Sequence, residues 1–228
     1  MACFIDLVFR ARLNLLVSTA QGILQYNIRQ PCIAGTYVAC YLTIMSLIKF
    51  EEVLNDLVDY FLIGDPYLLM DFKRKHQLPD DLITEFTTTD EGDRVVEEGV
   101  MIPLTGISNY PYTVYFNLNG NSPELLKAEN QLQLQQDGYK LQVKYGVIYL
   151  YTIPYLRNFI AEPLVTLEKR STRISLPNGW YKFAVLAGET EQETGMEPTF
   201  EFIITAVSDE PDFTADIQYR FTIDASEY

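Results

Sequence analysis

The sequence predicts an α+β protein: a helical N-terminal region followed by an antiparallel β-sandwich. Three observations carry that expectation. Phe50, Val53, Leu54, Leu57, Val58 and Phe61 recur at i, i+3, i+4, i+7, i+8 and i+11, the stripe of an amphipathic helix. From residue 90 onward, short alternating segments follow one another, bounded by Gly, Pro, Asn and Asp. Sixteen Tyr and thirteen Phe favour pleated, half-buried surfaces. Two regions result, a mainly helical one over 1–89 and a sandwich domain over 90–228, with the polar run Thr87–Asp93 as the boundary.

Residues 1–24 do not read as a signal peptide, because Asp6 interrupts the early apolar run and Arg10 and Arg12 follow it. No period is clean over 1–30, and helix and strand both stay open there. Gln30 to Ile48 holds no charge over 19 residues, near the length of a membrane span. Pro31, Gly35, Thr36, Thr43 and Ser46 dilute it, and the amphipathic stripe that follows argues for a soluble helix, so 37–63 is read as one helix or two in succession. Gly64-Asp65-Pro66 ends that stretch and opens another helix, with Asp65 as N-cap and Pro66 in the first turn. The Tyr67–His76 helix closes on Lys73, Arg74, Lys75 and His76, cations that offset the negative end of the macrodipole. A short helix over Pro79–Phe86, capped by Asp80, comes next.

The strand candidates are Val100–Ile107, Tyr112–Leu118, Gly146–Ile153, Leu164–Leu167, Arg173–Leu176, Trp180–Ala187, Thr199–Ala206 and Phe213–Ile223. Leu132–Val143 reads as a hairpin turning at Asp137-Gly138. Arg173 to Gly188 reads as the organising hairpin, turning at Asn178-Gly179, with Trp180, the lone tryptophan, lidding the core. No crossover helix stands out beyond a turn near Pro123–Ala128, which argues against a parallel α/β domain.

The net charge of −14 is unevenly placed. Acids and bases balance over 1–79, whereas 80–98 carries eight acids to one base and 188–228 eleven to one. Such a surface repels nucleic acid and anionic lipid and steers a basic protein toward it. Three cysteines, Cys3, Cys32 and Cys40, without CxxC spacing, fit reduced thiols in a cytoplasm rather than a disulfide framework or zinc site.

Catalytic devices find few parts here. The one histidine, His76, lies among cations at a helix end, and no GxSxG elbow marks a nucleophile. Zinc needs further histidines or a cysteine pair. Asp209-Glu210-Pro211-Asp212 lacks calcium-loop spacing. Adjacent carboxylates such as Asp80/Asp81, Glu97/Glu98 and Asp209/Glu210 say nothing about a facing pair across a cleft. The expectation is therefore a non-catalytic protein with no cofactor and no metal. Its partner-binding candidates are Glu189, Glu191 and Glu193 on one acidic loop and Asp209, Glu210 and Asp212 on another.

Two strings carry a family likeness: Gly92 to Ile107 with Tyr112-Thr-Val-Tyr-Phe116 after it, and Ile174 to Gly188 with its Leu-Pro-x-Gly-x-Tyr. Over roughly 90–228 they resemble bacterial β-sandwich immunity proteins of polymorphic toxins, the nuclease-inhibitor type among them. The resemblance implies a cytoplasmic immunity protein that neutralises a cognate toxin by blocking its basic active-site surface, and it brings no site residue with it. A structural or assembly module of a phage or secretion system is the alternative from another class, and a carboxylate-based enzyme acting on glycosides is a third.

Overall fold

The structure, a computed structural model, describes residues 46–55, 59–118 and 120–226. In chain order the elements are β1 (Ser46–Val53), β2 (Tyr60–Gly64), α1 (Pro66–His76), α2 (Leu82–Thr88), α3 (Glu91–Glu97), β3 (Met101–Thr105), β4 (Tyr112–Leu118), β5 (Gln131–Val143), β6 (Val147–Thr152), α4 (Ala161–Arg170), β7 (Thr172–Ser175), β8 (Gly179–Gln192) and β9 (Gly195–Val207). Short 3-10 turns lie at Glu124–Leu126, between β4 and β5, and at Ile153–Leu156, between β6 and α4.

Two sheets form, one in the order β1-β4-β9-β8-β5 and the other β3-β2-β6-β7. Their facing sides share one aromatic core. Phe61 of β2 meets Tyr112 of β4 at 5.8 Å and Phe200 of β9 at 6.1 Å between ring centroids. Phe200, Phe202 and Ile204 alternate inward along β9 and are buried, as the period of two demands. The long β8–β9 hairpin forms the spine of the larger sheet, paired without a break from Trp180↔Val207 to Gln192↔Gly195.

The expected fold class needs correction. The described residues are mostly β with their few helices scattered, and they show no helical N-terminal region. Much of the expected 37–63 helix lies outside the described residues, as do 1–30 and the three cysteines; its described parts are β1 and β2. A bulge explains the misleading spacing. Phe50 pairs with Val114 and Val53 with Tyr112, so one extra residue sits between them, with Glu52 in the left-handed region at φ 54°. Phe50 and Val53 thus both pack on the core at helix-like i, i+3 separation, although they belong to a strand. β2 runs between β3 and β6, and Phe61, Leu62 and Ile63 are all buried, so no alternation betrays it.

The sandwich is also not purely antiparallel, since β4 and β9 run parallel. β1 and β2, which precede residue 90, hydrogen-bond to β4 and to β3 and β6, which follow it, so both sheets take strands from either side of that position. Asp137-Gly138 is a bulge inside one strand, β5, rather than a hairpin turn, and β5 pairs with β8 on both sides of it. β7 and β8 do not pair with each other: Asn178-Gly179 carries the chain from one sheet to the other. Leu164–Leu167 falls within α4, and Thr87–Asp93 spans the end of α2 and the start of α3. α2 is capped by Asp81 rather than Asp80, which instead pairs with Lys73.

Other local readings hold. α1 begins at Pro66, and Asp65 Oδ1 accepts from the N–H groups of Tyr67 (3.0 Å) and Leu68 (3.3 Å). Its Oδ2 accepts from the N–H groups of Lys144 (3.3 Å) and Tyr145 (2.8 Å), tying the β5–β6 turn to the same helix start. Burial raises the Asp65 carboxyl above its ordinary value, while these N–H donors pull the other way.

Residues 208–226 form a strap without regular strand structure along the open side of the sandwich. Thr214 N–H donates to Gly138 C=O of β5 (3.0 Å), and Phe221 N–H donates to Thr105 C=O of β3 (2.8 Å). Phe221 and Ile223 are buried in the core, so the strap belongs to the fold. The expected strand over Phe213–Ile223 is reduced to an isolated bridge, Thr105↔Arg220.

Candidate functional site

The six acidic candidates do not share a surface. Glu191 and Glu193 are exposed at the tip of the β8–β9 hairpin, while Asp209, Glu210 and Asp212 open the strap beyond the other end of β9. The pairing between the two ends covers twelve steps of a strand, roughly 40 Å at ~3.3 Å per residue. A common interface covers about 800 Å² per partner, a patch only roughly 30 Å across. One partner of that size therefore reaches one end or the other.

Glu189 is no surface residue. Only 1% exposed, its Oε1 accepts from the N–H and the hydroxyl of Ser226, both at 2.8 Å. Glu191 is exposed, and its N–H donates to Asn130 Oδ1 (2.8 Å). At the other end, Asp209 accepts from the Ser208 hydroxyl (2.7 Å), and Glu210 pairs with Lys140, whose ammonium also stands 5.6 Å from the Trp180 ring centroid. Trp180 is thus engaged at the strap end of the hairpin.

The strap end holds a groove of about 550 Å³. Ala184 of β8 and Ile203 of β9 line it together with Lys182 and Thr205, and Asp137, Glu210 and Asp212 line it from the β5 bulge and the strap. The bulge and the strap meet closely: a Cβ on Gly138 (φ 84°) would lie 2.4 Å from Thr214 Oγ1 and 2.8 Å from Ala215 N. Tyr139, next in the bulge, is buried and donates its hydroxyl to Asp216 C=O (3.4 Å); burial raises its phenol, which keeps it protonated as that donor. Asp137 is the residue the sequence did not flag, because Asp-Gly reads as a turn; the pairing of β5 with β8 makes it a bulge, and the strap's bond from Thr214 N–H to Gly138 C=O brings it beside residues more than seventy positions away.

The remaining carboxylates singled out have local tasks. Asp81 accepts from Thr84 N–H (3.2 Å) at the start of α2, and Glu98 pairs with Lys75 at 3.0 Å. His76 stacks on Phe72 (centroids 4.3 Å apart), with Nδ1 3.4 Å from Glu91 and Nε2 3.8 Å from Glu98, so it is half-buried between helices rather than free on the surface. Among the described residues no group of three or more His, Cys, Asp or Glu is placed to hold a metal ion, and no helix is long and apolar enough to cross a membrane.

No protein-family model and no curated protein matches the chain. Among solved structures it is similar to the protein of crocagin biosynthetic gene J (12% identity, TM-score 0.42, covering 72% of this chain and 99% of that one). It is also similar to ComJ of Bacillus subtilis, inhibitor of the DNA-degrading activity of NucA (15% identity, TM-score 0.39, covering 72% of this chain and 100% of that one). At TM-scores this low neither likeness bears on what this chain does.

Proposed function

We propose that this chain is a non-catalytic, acidic binding protein of the immunity type, which acts in the cytoplasm and neutralises a cognate toxin by covering that toxin's basic active-site surface. One observation carries the reading. Asp137, Glu210 and Asp212, scattered in sequence, converge on one groove at the strap end, with Asp209 exposed beside them. The net charge of −14 adds a long-range field that draws a basic protein in. The hairpin tip, with Glu191 and Glu193, guides encounter and lies outside the contact.

The test is inhibition. The product of the gene adjacent to this one is assayed for its own activity with and without the chain, alongside the variants Asp209→Lys/Asp212→Lys and Glu191→Lys/Glu193→Lys. Stoichiometric inhibition that the strap variant loses and the hairpin variant keeps is the expected result. Unimpaired inhibition by the strap variant moves the contact elsewhere. Full activity of the adjacent product in the presence of the wild-type chain removes the immunity reading.

A further inference from the structure

Building on the reading of this chain as an acidic binding protein, we propose that the strap-end groove is a receptor for a single lysine or arginine side chain presented by the partner protein. The side chain's methylene stem lies along Ala184 and Ile203, and its cation sits between Asp137 and Asp212.

The charges lining the groove are already partly spoken for, and that selects the occupant. Glu210 is held by Lys140, whose ammonium also faces Trp180, so this acid is neutralised from within the chain. Asp137 and Asp212 are exposed, and neither forms an ion pair among the described residues. Two unneutralised carboxylates at a groove that also presents the apolar side chains of Ala184 and Ile203 attract a cation on an aliphatic stem, the chemistry of lysine and arginine. An anion would meet a single favourable charge, Lys182, against both aspartates. The volume falls within the ~300–1,000 Å³ of pockets that take small ligands, room enough for the side chain and the backbone on either side of it.

Lys182 is the specificity element. It lines the same groove, exposed and without an ion pair among the described residues, and it opposes an incoming cation. Neutralising it improves capture, whereas neutralising either aspartate weakens it. Exposed charge pairs of this kind shift affinity by roughly two- to fivefold each.

The probe is N-acetyl-Gly-Arg-Gly-amide, titrated into the isotope-labelled full chain and followed by backbone amide shifts, with the Gln peptide and sodium phosphate as controls. Asn replaces Asp137 because it keeps the bulge geometry, and Asp212 because it keeps the size of the side chain while removing its charge; Trp180 fluorescence verifies that each variant is folded. The expected result is saturable shifts at Ala184, Ile203 and Thr214 with the Arg peptide alone. They weaken roughly two- to fivefold in Asp137→Asn and in Asp212→Asn, strengthen in Lys182→Gln and stay unchanged in Glu191→Gln/Glu193→Gln. Equal shifts from the Gln peptide, or shifts at Lys182 from phosphate alone, overturn the proposal. Arg-peptide shifts centred on Glu191 and Glu193, or no shifts in a chain that still inhibits its partner, overturn the groove assignment and leave the acidic-capture reading standing. A chain that neither binds the peptide nor inhibits the partner loses both.

Discussion

Ser226 donates two hydrogen bonds, from its N–H and its hydroxyl, to the buried carboxylate of Glu189, both at 2.8 Å. This pairing fastens the end of the strap to the long hairpin. Glu189→Ala leaves two donors without their acceptor and opens a void, at a cost of roughly 2–3 kcal/mol. Ser226→Ala removes only the hydroxyl bond and costs about 1 kcal/mol. Urea unfolding measures both. Hydrogen exchange locates the loss: amides of Phe221 to Asp224 exchange faster in Glu189→Ala, while those of β4 keep their protection.

Asp71 sets an acid sensitivity of known sign. Its Oδ2 accepts from Lys144 Nζ (2.8 Å) and the Tyr145 hydroxyl (2.6 Å), and these bonds, Lys144's first, hold its carboxyl below the ordinary 3.8. A carboxyl depressed in the folded state contributes stability above its unfolded value and loses that contribution as pH falls through the folded one. The stability advantage of the native chain over Asp71→Asn is therefore full at about pH 6 and vanishes toward about pH 2. Urea midpoints across that range measure it; an advantage that grows on acidification contradicts the assignment.

Gly138 lets β5 and the strap touch. With φ at 84° and Thr214 Oγ1 2.4 Å from where a Cβ would stand, Gly138→Ala strains the backbone and pushes the strap away. The expected cost is about 1–3 kcal/mol, read by thermal unfolding. Amide shifts of Thr214 and Ala215 report the displaced strap. A neutral substitution would mean that the bulge and the strap are not in register in solution.

How much of this was legible in the sequence depends on what each residue had to do. Tyr112–Leu118 and the Asp65-Pro66 start of α1 are local statements, and both stand as read. Phe50 and Val53 misled because a bulge lends a strand the spacing of a helix, and Phe61–Ile63 because a strand buried on both faces shows no period. Asp137-Gly138 misled in the same way: the positive φ that makes a tight turn also makes a bulge, and only pairing with β8 decides between them. The acids were visible as residue types. Their sorting into a buried anchor (Glu189), a hairpin tip (Glu191, Glu193) and a groove rim (Glu210, Asp212) depends on the strap's path, which no local pattern encodes.

The central claim, that capture runs through the negative charge at the strap end, is tested most directly by the association rate with the adjacent gene's product, measured by stopped flow across a range of salt. The native chain is expected to associate fast at low salt and to slow steeply as salt rises. Asp209→Lys/Asp212→Lys should associate at least roughly tenfold more slowly at low salt, with a much shallower salt dependence, its dissociation rate being a separate readout. Equal association rates and equal salt slopes for the two proteins would contradict the claim.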